Sequence, residues 1–214
     1  MLANANYVTQ TEPVSRALKA LKEHDAATFR HSLTVAAYAK QIATNLGLPD
    51  NEATRIYAGA LVHDIGKLFF TRRILRGATP LNAEERAIIW QHPALGAELA
   101  PNFGLVDYID IIAQHHERFD GSGYPWGLRG SQISLAARVV AVADALEVMT
   151  TGRPYQPAKP LHTAIDELES LSGAQFCPQV IEGVAGGRYE FSCGFSYGMS
   201  ANAASSAVLT SMPR

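Results

Sequence analysis

Residues 32–46 read SLTVAAYAKQIATNL. Leu33, Val35, Tyr38, Ala39, Ile42 and Leu46 fall on one stripe at helical period. Gly47 and Pro49 come next, in the order that ends helices. The same period recurs outward from this segment, over about residues 13 to 185. A second helix is expected from about residue 50 through Ile56, Ala60 and Leu61 to His63 and Asp64, ended by Gly66. Asn82 with Glu85 three residues on resembles a capping box before Ala87-Ile88-Ile89-Trp90. His92 precedes Pro93 and marks a break between that helix and the next. Further helices are expected over about 106–116, from a cap at Ser134 through Met149, over about 160–171, and after Pro178. The stretch DGSGYPWGLRG (120–130) is a glycine-rich loop. No stretch alternates convincingly as a strand would, so the fold class is all-α.

The chain has 214 residues, enough for one sizeable core. Its expected organisation is an N-terminal extension (1–12), one domain (13–185) and a poorly ordered Gly/Ser/Ala-rich tail (186–214). The net charge of −2 gives no basic field for a nucleic-acid polymer or an anionic membrane. A small anionic substrate stays open, because bound metal ions supply local positive charge. Cys177 and Cys193 read as two reduced thiols rather than a disulfide or a zinc finger. The N-terminus lacks a signal-peptide pattern, and no apolar stretch reaches the roughly 20 residues of a spanning helix. A soluble, cytoplasmic protein is expected.

Five of the seven histidines stand out: His31, His63, His92 and the adjacent pair His115–His116. Each lies in or at the end of an apolar helical stretch, where a lone polar group is costly unless satisfied. Singly, each is more often a hydrogen-bonded histidine than a ligand. Asp64 comes just after the apolar run 58–62, and Asp144 sits within VVAVAD (139–144). Unpaired buried carboxylates are strongly disfavoured. A metal would satisfy carboxylates and imidazoles together, and this donor set suits Fe, Mn, Zn or Ni.

In order along the chain, HDIGK (63–67), HPALG (92–96), HHERFDGSGYPWGLRG (115–130), ARVVAVAD (137–144) and GRPY (152–155) resemble the HD-GYP family. The resemblance spans about residues 28 to 185. It implies a single helical bundle of the HD-domain type with a GYP loop. The implied activity is a metal-dependent phosphodiesterase opening cyclic di-GMP to linear pGpG, and onward to GMP, through a metal-bridging hydroxide. It implies two divalent metals, Fe or Mn first and Zn, Ni or Mg as alternatives. His31, His63, Asp64 and Asp144 would hold one; Asp64 would bridge to a second held by His92, His115 and His116. Asp64 and Lys67 would be catalytic, with Lys67, Tyr124, Glu147 and Arg153 contacting substrate. Implied partners are a cyclic dinucleotide and diguanylate cyclase domains at the GYP loop, and a homodimer is compatible. Two alternatives remain open: hydrolysis of another cyclic dinucleotide such as cyclic GMP-AMP or another phosphate ester, and a binding module with negligible turnover.

The chain departs from the family pattern at several points. Ala27 stands where a third-metal glutamate would, so two metals are expected. Leu68-Phe69-Phe70-Thr71-Arg72 replaces the usual wall after HDIGK; Phe69 and Phe70 read as packing before guanine stacking. Glu147, Gln156 and Cys177 replace an aspartate, a basic residue and an aspartate. Arg138 reads equally as orienting a ligand carboxylate or reaching solvent. Arg129 reads as a solvated turn residue, and Glu117 as an acceptor for an imidazole or a surface group. His24 and His162 lie outside every motif, while Trp90 and Trp126 read as packing.

Overall fold

The computed structural model of the chain describes residues 3–75, 82–152 and 157–186, with side chains from residue 12 onward. Helix α1 (Ala3–His24) leads into α2 (Ala26–Asn45), which carries His31. The single residue between them, Asp25, starts α2: its Oδ2 accepts from the Thr28 N–H and hydroxyl, each at 2.9 Å. The end of α2 is set by Gly47, whose φ of 70° lets two backbone bonds close. Gly47 N–H donates to the Thr44 carbonyl at 2.9 Å and Leu48 N–H to the Ala43 carbonyl at 3.1 Å. Helix α3 (Asp50–Val62) begins after Pro49 with Asp50 and Glu52 in its first turn, where the helix dipole favours acids.

Helices α4 (Arg72–Leu75) and α5 (Ala83–Ile89) come next. The expected capping box is present on α5: Glu85 N–H donates to Asn82 Oδ1 at 2.8 Å, and Asn82 N–H to Glu85 Oε2 at 3.1 Å. Helix α6 (His92–Phe103) has Pro93 in its first turn, where a missing N–H costs nothing. Helices α7 (Ile109–Gln114), α8 (Leu135–Thr151), α9 (Leu161–Ser170) and α10 (Pro178–Gly186) complete the order. Ser134 caps α8 through its hydroxyl, which accepts from Ala137 N–H at 3.1 Å. Helix α2 packs against α3 and α8, and α7 lies against α3, α6 and α8. Their facing sides bury Val35, Ile42, Ile56, Ile112, Val140 and Leu146 completely. Among the described residues there is no strand, only an isolated bridge between Ser172 and Phe176, and the all-α expectation holds.

Helix α1 runs as one backbone element from Ala3 to His24. Two helix boundaries differ from the sequence expectation. The helix expected over about 106–116 is a tight turn at Val106–Tyr108 followed by α7. Helix α3 stops at Val62, before His63 and Asp64, and the chain tightens into a 3-10 turn over Ile65–Phe69. Gly66 explains the change. A Cβ there would lie 2.0 Å from the His92 carbonyl oxygen and 2.7 Å from the Gly96 nitrogen, so this backbone crosses the start of α6 in direct contact. The tail expected over 186–214 lies, beyond Gly186, outside the described residues. Among the described residues no helix is long and apolar enough to cross a membrane.

The crossing makes a sharp demand on residue 66. Gly66→Ala forces backbone apart rather than a movable side chain, and overpacking of this kind costs about 1–3 kcal/mol. Thermal unfolding should show a lower Tm, by roughly 2–4 °C per kcal/mol in a chain of this size. An unchanged Tm would contradict the close approach.

Candidate metal centre

Five separate elements deliver the seven histidines and aspartates singled out in the sequence. His31 lies in the body of α2, His63 and Asp64 come after α3, His92 begins α6, His115 and His116 come after α7, and Asp144 lies in α8. The structure brings all seven together. His31 Nε2 is 3.1 Å from Asp144 Oδ1 and 3.7 Å from Asp64 Oδ2. His63 Nε2 is 3.5 Å from the same Asp64 oxygen. The other Asp64 oxygen, Oδ1, is 3.3 Å from His92 Nε2, which is itself 3.1 Å from His115 Nε2. Asp64 therefore turns one oxygen to each of two donor groups. His31, His63 and Asp64 form one compact trio, and His92, His115 and His116 the other.

Hydrogen bonds at the far side of each ring fix which nitrogen faces the centre. His63 Nδ1 donates to the Ala60 carbonyl at 2.7 Å, His92 Nδ1 to the Ile89 carbonyl at 2.8 Å and His115 Nδ1 to the Ile112 carbonyl at 2.9 Å. A carbonyl only accepts, so the proton sits on Nδ1 and a neutral ring offers a bare lone pair at Nε2. Burial pushes the His63 pKa down and, with His116 beside it, holds that of His115 well below the ordinary value. Burial and the neighbouring His92 lower His116 to about 3. These rings stay neutral, with lone pairs aimed at one another and at a carboxylate.

The half of the centre formed by His92, His115, His116 and Asp64 Oδ1 lacks positive charge. A single proton on His92 Nε2 could serve either His115 or Asp64, not both. Asp64 Oδ1 is fully buried and has no well-formed hydrogen bond, with only His92 Nε2 near it at 3.3 Å, an expensive condition for a carboxylate oxygen. Converging imidazole lone pairs and carboxylates are the donor chemistry of a divalent cation, so the residues fit a metal.

His31 is different. Burial alone would lower its pKa, but hydrogen bonds to Asp144 and Glu147 prevail and raise it to about 9. Burial of Asp64 is likewise outweighed, by Lys67 first, and its pKa lies well below the carboxylate norm. Lys67 Nζ donates to Asp64 Oδ2 at 2.6 Å. For Asp144, the bond from His31 overcomes burial and lowers the pKa.

The residues expected to meet substrate divide. Lys67 stands at the centre, as its bond to Asp64 requires. Glu147 does not face outward; its Oε2 accepts from His31 Nδ1 at 2.7 Å, so it orients that ring. The contact joins α8 to α2. Tyr124 lies over His116, with ring centroids 4.9 Å apart and planes inclined by 25°. Burial and the charges of Asp144 and Asp64 raise its pKa. Arg153 and Gln156 lie outside the described residues.

Other residues take roles that the sequence leaves open or does not signal. Glu117 accepts no imidazole; its two oxygens take the backbone N–H groups of Trp126 and Leu128, at 2.8 and 3.0 Å, and pin the GYP loop. Gly123 lets that loop press against its own stem, since a Cβ there would lie 2.3 Å from Arg118 N. Arg138 donates to Cys177 Sγ at 3.2 Å, which fits neither of its two sequence readings. His24 Nε2 donates to the Phe70 carbonyl at 2.8 Å and braces the wall after HDIGK. Phe70 is packed as expected, whereas Phe69, Trp90 and Trp126 are exposed rather than buried in packing. None of these pairings is signalled by local sequence spacing.

The HD-domain family profile matches residues 14–180. A cyclic di-GMP phosphodiesterase of Thermotoga maritima is 39% identical over 169 residues, covering 77% of this chain and 46% of the relative. A 3'3'-cGAMP-specific phosphodiesterase of Vibrio cholerae is 38% identical over 140 residues, 65% of this chain and 32% of the relative. The chain thus spans a third to a half of the length of these relatives. Among solved structures, an HDG"Y"P protein from Bdellovibrio bacteriovorus matches with a TM-score of 0.60 at 25% identity, over 73% of this chain and 51% of that one. An HD domain of a Listeria monocytogenes phosphodiesterase, solved with cyclic di-AMP, matches with a TM-score of 0.58 at 18% identity, over 86% and 98%; that likeness concerns the fold. With the ordered motifs converging on one centre and the profile covering most of its length, the chain belongs to the HD-domain family, in its HD-GYP branch.

Proposed function

We propose that this protein is a metal-dependent phosphodiesterase that opens cyclic di-GMP to linear pGpG, with GMP as a later product. One observation carries the reading: Nε2 of His92, Nε2 of His115 and the buried Asp64 Oδ1 converge on one point, a donor set that suits a divalent cation. We assign His31, His63, Asp64 and Asp144 to one divalent ion and His92, His115 and His116 to a second, with Asp64 serving both. Two ions, Fe or Mn first, suit nitrogen and oxygen donors without thiolates. When bound, such ions provide Lewis acidity toward a phosphodiester and activate water near neutral pH.

The chain's own residues supply the rest. Lys67, on the turn after Asp64, is a compact point charge at the donor cluster and can stabilise negative charge growing on a phosphate oxygen. Glu147 holds the His31 ring so that Nε2, rather than Nδ1, points to Asp144. Tyr124 covers His116 and shields that side of the centre from water. The reading is supported by relatives named for cyclic di-GMP phosphodiesterase activity. A relative named for 3'3'-cGAMP motivates a second reading in which guanine is not required on both sides.

Product analysis on Mn- or Fe-loaded protein, prepared without oxygen, should show pGpG forming from cyclic di-GMP. Faster turnover of 3'3'-cGAMP in a competition assay would select the second reading, and no turnover of either with both ions bound would end both. Lys67→Met should lower kcat by about 10²–10³-fold, the loss typical of one charge-stabilising donor, with metal content unchanged. Glu147→Gln should weaken metal binding by about 10–100-fold, as expected for a group that orients a ligand; equilibrium dialysis reads this directly.

Metal uptake should also depend on pH, with a defined sign. The His31 pKa is raised to about 9, so at pH 7 a chelator-stripped protein carries a proton there that the metal must displace. Affinity should rise with pH until about 9. Calorimetry in buffers of different ionisation enthalpy should register proton release at pH 7, and uptake without release would contradict the assignment of His31.

A further inference from the structure

The rim of the centre carries an aromatic stack whose outermost ring, Trp90, has no part in phosphodiester cleavage itself. Trp90 lies in the turn between α5 and α6, two residues before His92. Its ring stacks on Tyr124, centroids 5.2 Å apart and planes inclined by 25°. Tyr124 stacks in turn on His116 at 4.9 Å and the same inclination. Two successive stacked pairs therefore link a candidate ligand to an exposed indole. Trp90 ends the series and is still 52% exposed, although Tyr124 covers part of it.

A single exposed aromatic needs no explanation. Phe69 and Trp126 are exposed to a similar degree, and neither belongs to this stack. Trp90 differs because its position is fixed by Tyr124, and Tyr124 is fixed in turn by a loop pinned through Glu117. The result is a flat, pre-set π surface close to the point where a phosphate would be held. In a nucleotide one sugar separates phosphate from base, so a base whose phosphate is held at the centre lies at the depth of its rim. Nucleobases stack on aromatic side chains through their π faces, whatever their hydrogen-bonding edges. A two-ring indole overlaps best with a two-ring base.

We propose, resting on the phosphodiesterase reading above, that the exposed face of Trp90 is a stacking platform for one purine base of the substrate. Trp90 then sets affinity for purine-bearing phosphodiesters, while the ions and Lys67 act on the phosphate. The platform is indifferent to guanine against adenine, so discrimination between them lies elsewhere.

The chain has two tryptophans, so Trp126→Phe leaves Trp90 as the sole reporter. Titrating that full-length, metal-loaded variant with GMP should quench its fluorescence saturably, and ribose 5-phosphate should not. In steady state with cyclic di-GMP, Trp90→Leu should raise KM by about 5- to 100-fold, the range for loss of one base stack, with kcat and metal content nearly unchanged. Trp90→Phe should recover most of the loss. An unchanged KM in Trp90→Leu overturns the platform. So does a fall in kcat and metal content at constant KM, which would mean that Trp90 acts only by bracing Tyr124 over His116. Quenching by ribose 5-phosphate equal to that by GMP also overturns it. If GMP quenches Trp90 while the wild-type protein turns over no cyclic dinucleotide, the platform stands and the phosphodiesterase reading falls.

Discussion

The carboxylate of Asp64 lies between two sets of imidazoles, and much of the fold is arranged so that it can. Its Oδ2 faces His31, His63 and Lys67, and its Oδ1 faces His92. A buried carboxylate with one oxygen unpaired would ordinarily weigh heavily against folding. Here Lys67 offsets part of that cost, and the ring lone pairs that face inward add to the demand for a cation. The close contact of Gly66 with the His92 carbonyl brings the turn after α3 onto the start of α6. Any larger residue would push His92 away from Asp64 and separate the two donor groups.

The rings are aimed by a common device. His63, His92 and His115 each stand just past the end of a helix, and each donates from Nδ1 to a carbonyl three residues back. The last carbonyls of a helix have no partner within it. An imidazole placed there satisfies one of them and is itself held with Nε2 forward. His31 has no such carbonyl to hand, because it sits in the middle of α2, where the helix ladder uses them. Its Nδ1 is satisfied instead by Glu147, a side chain from α8 that is 116 residues away. Ligand orientation thus depends on where each histidine falls on its helix.

This contrast also explains what is legible in the sequence. Helices with strong stripes or side-chain caps are legible, since their signals lie within a few residues: Asn82 with Glu85, Ser134 before Ala137, Gly47 after α2. The ligand candidates are legible because polar residues stand out in apolar runs and because their order matches a family. The end of α3 is not, because the cause lies in Gly66 meeting α6 rather than in residues 50–64. From the sequence, Glu147 reads as a substrate contact and Glu117 as an imidazole acceptor or a surface group. Their true partners, His31 and the N–H groups of the loop, become neighbours only after folding. Trp90 likewise reads as packing, since a helical stripe cannot show that its far side lies against a tyrosine in a distant loop.

Loops commonly carry function together with mobility, and the GYP loop shows how that mobility is reduced. Glu117 grips it by two backbone N–H groups, Gly123 lets it settle against Arg118, and Gly130 N–H closes it onto the Phe119 carbonyl at 3.0 Å. Its stem is tied in turn to residues 174 and 175 by the N–H groups of Phe119 and Asp120. These bonds are backbone-directed and so fix the path of the chain rather than one rotamer. Tyr124 is consequently presented to His116 at a set height and tilt. Stacked rings cannot interpenetrate, so each ring sets the height of the next. The surface geometry at Trp90 is therefore inherited from the contacts that hold Tyr124 over His116, and rim and centre are built as one unit.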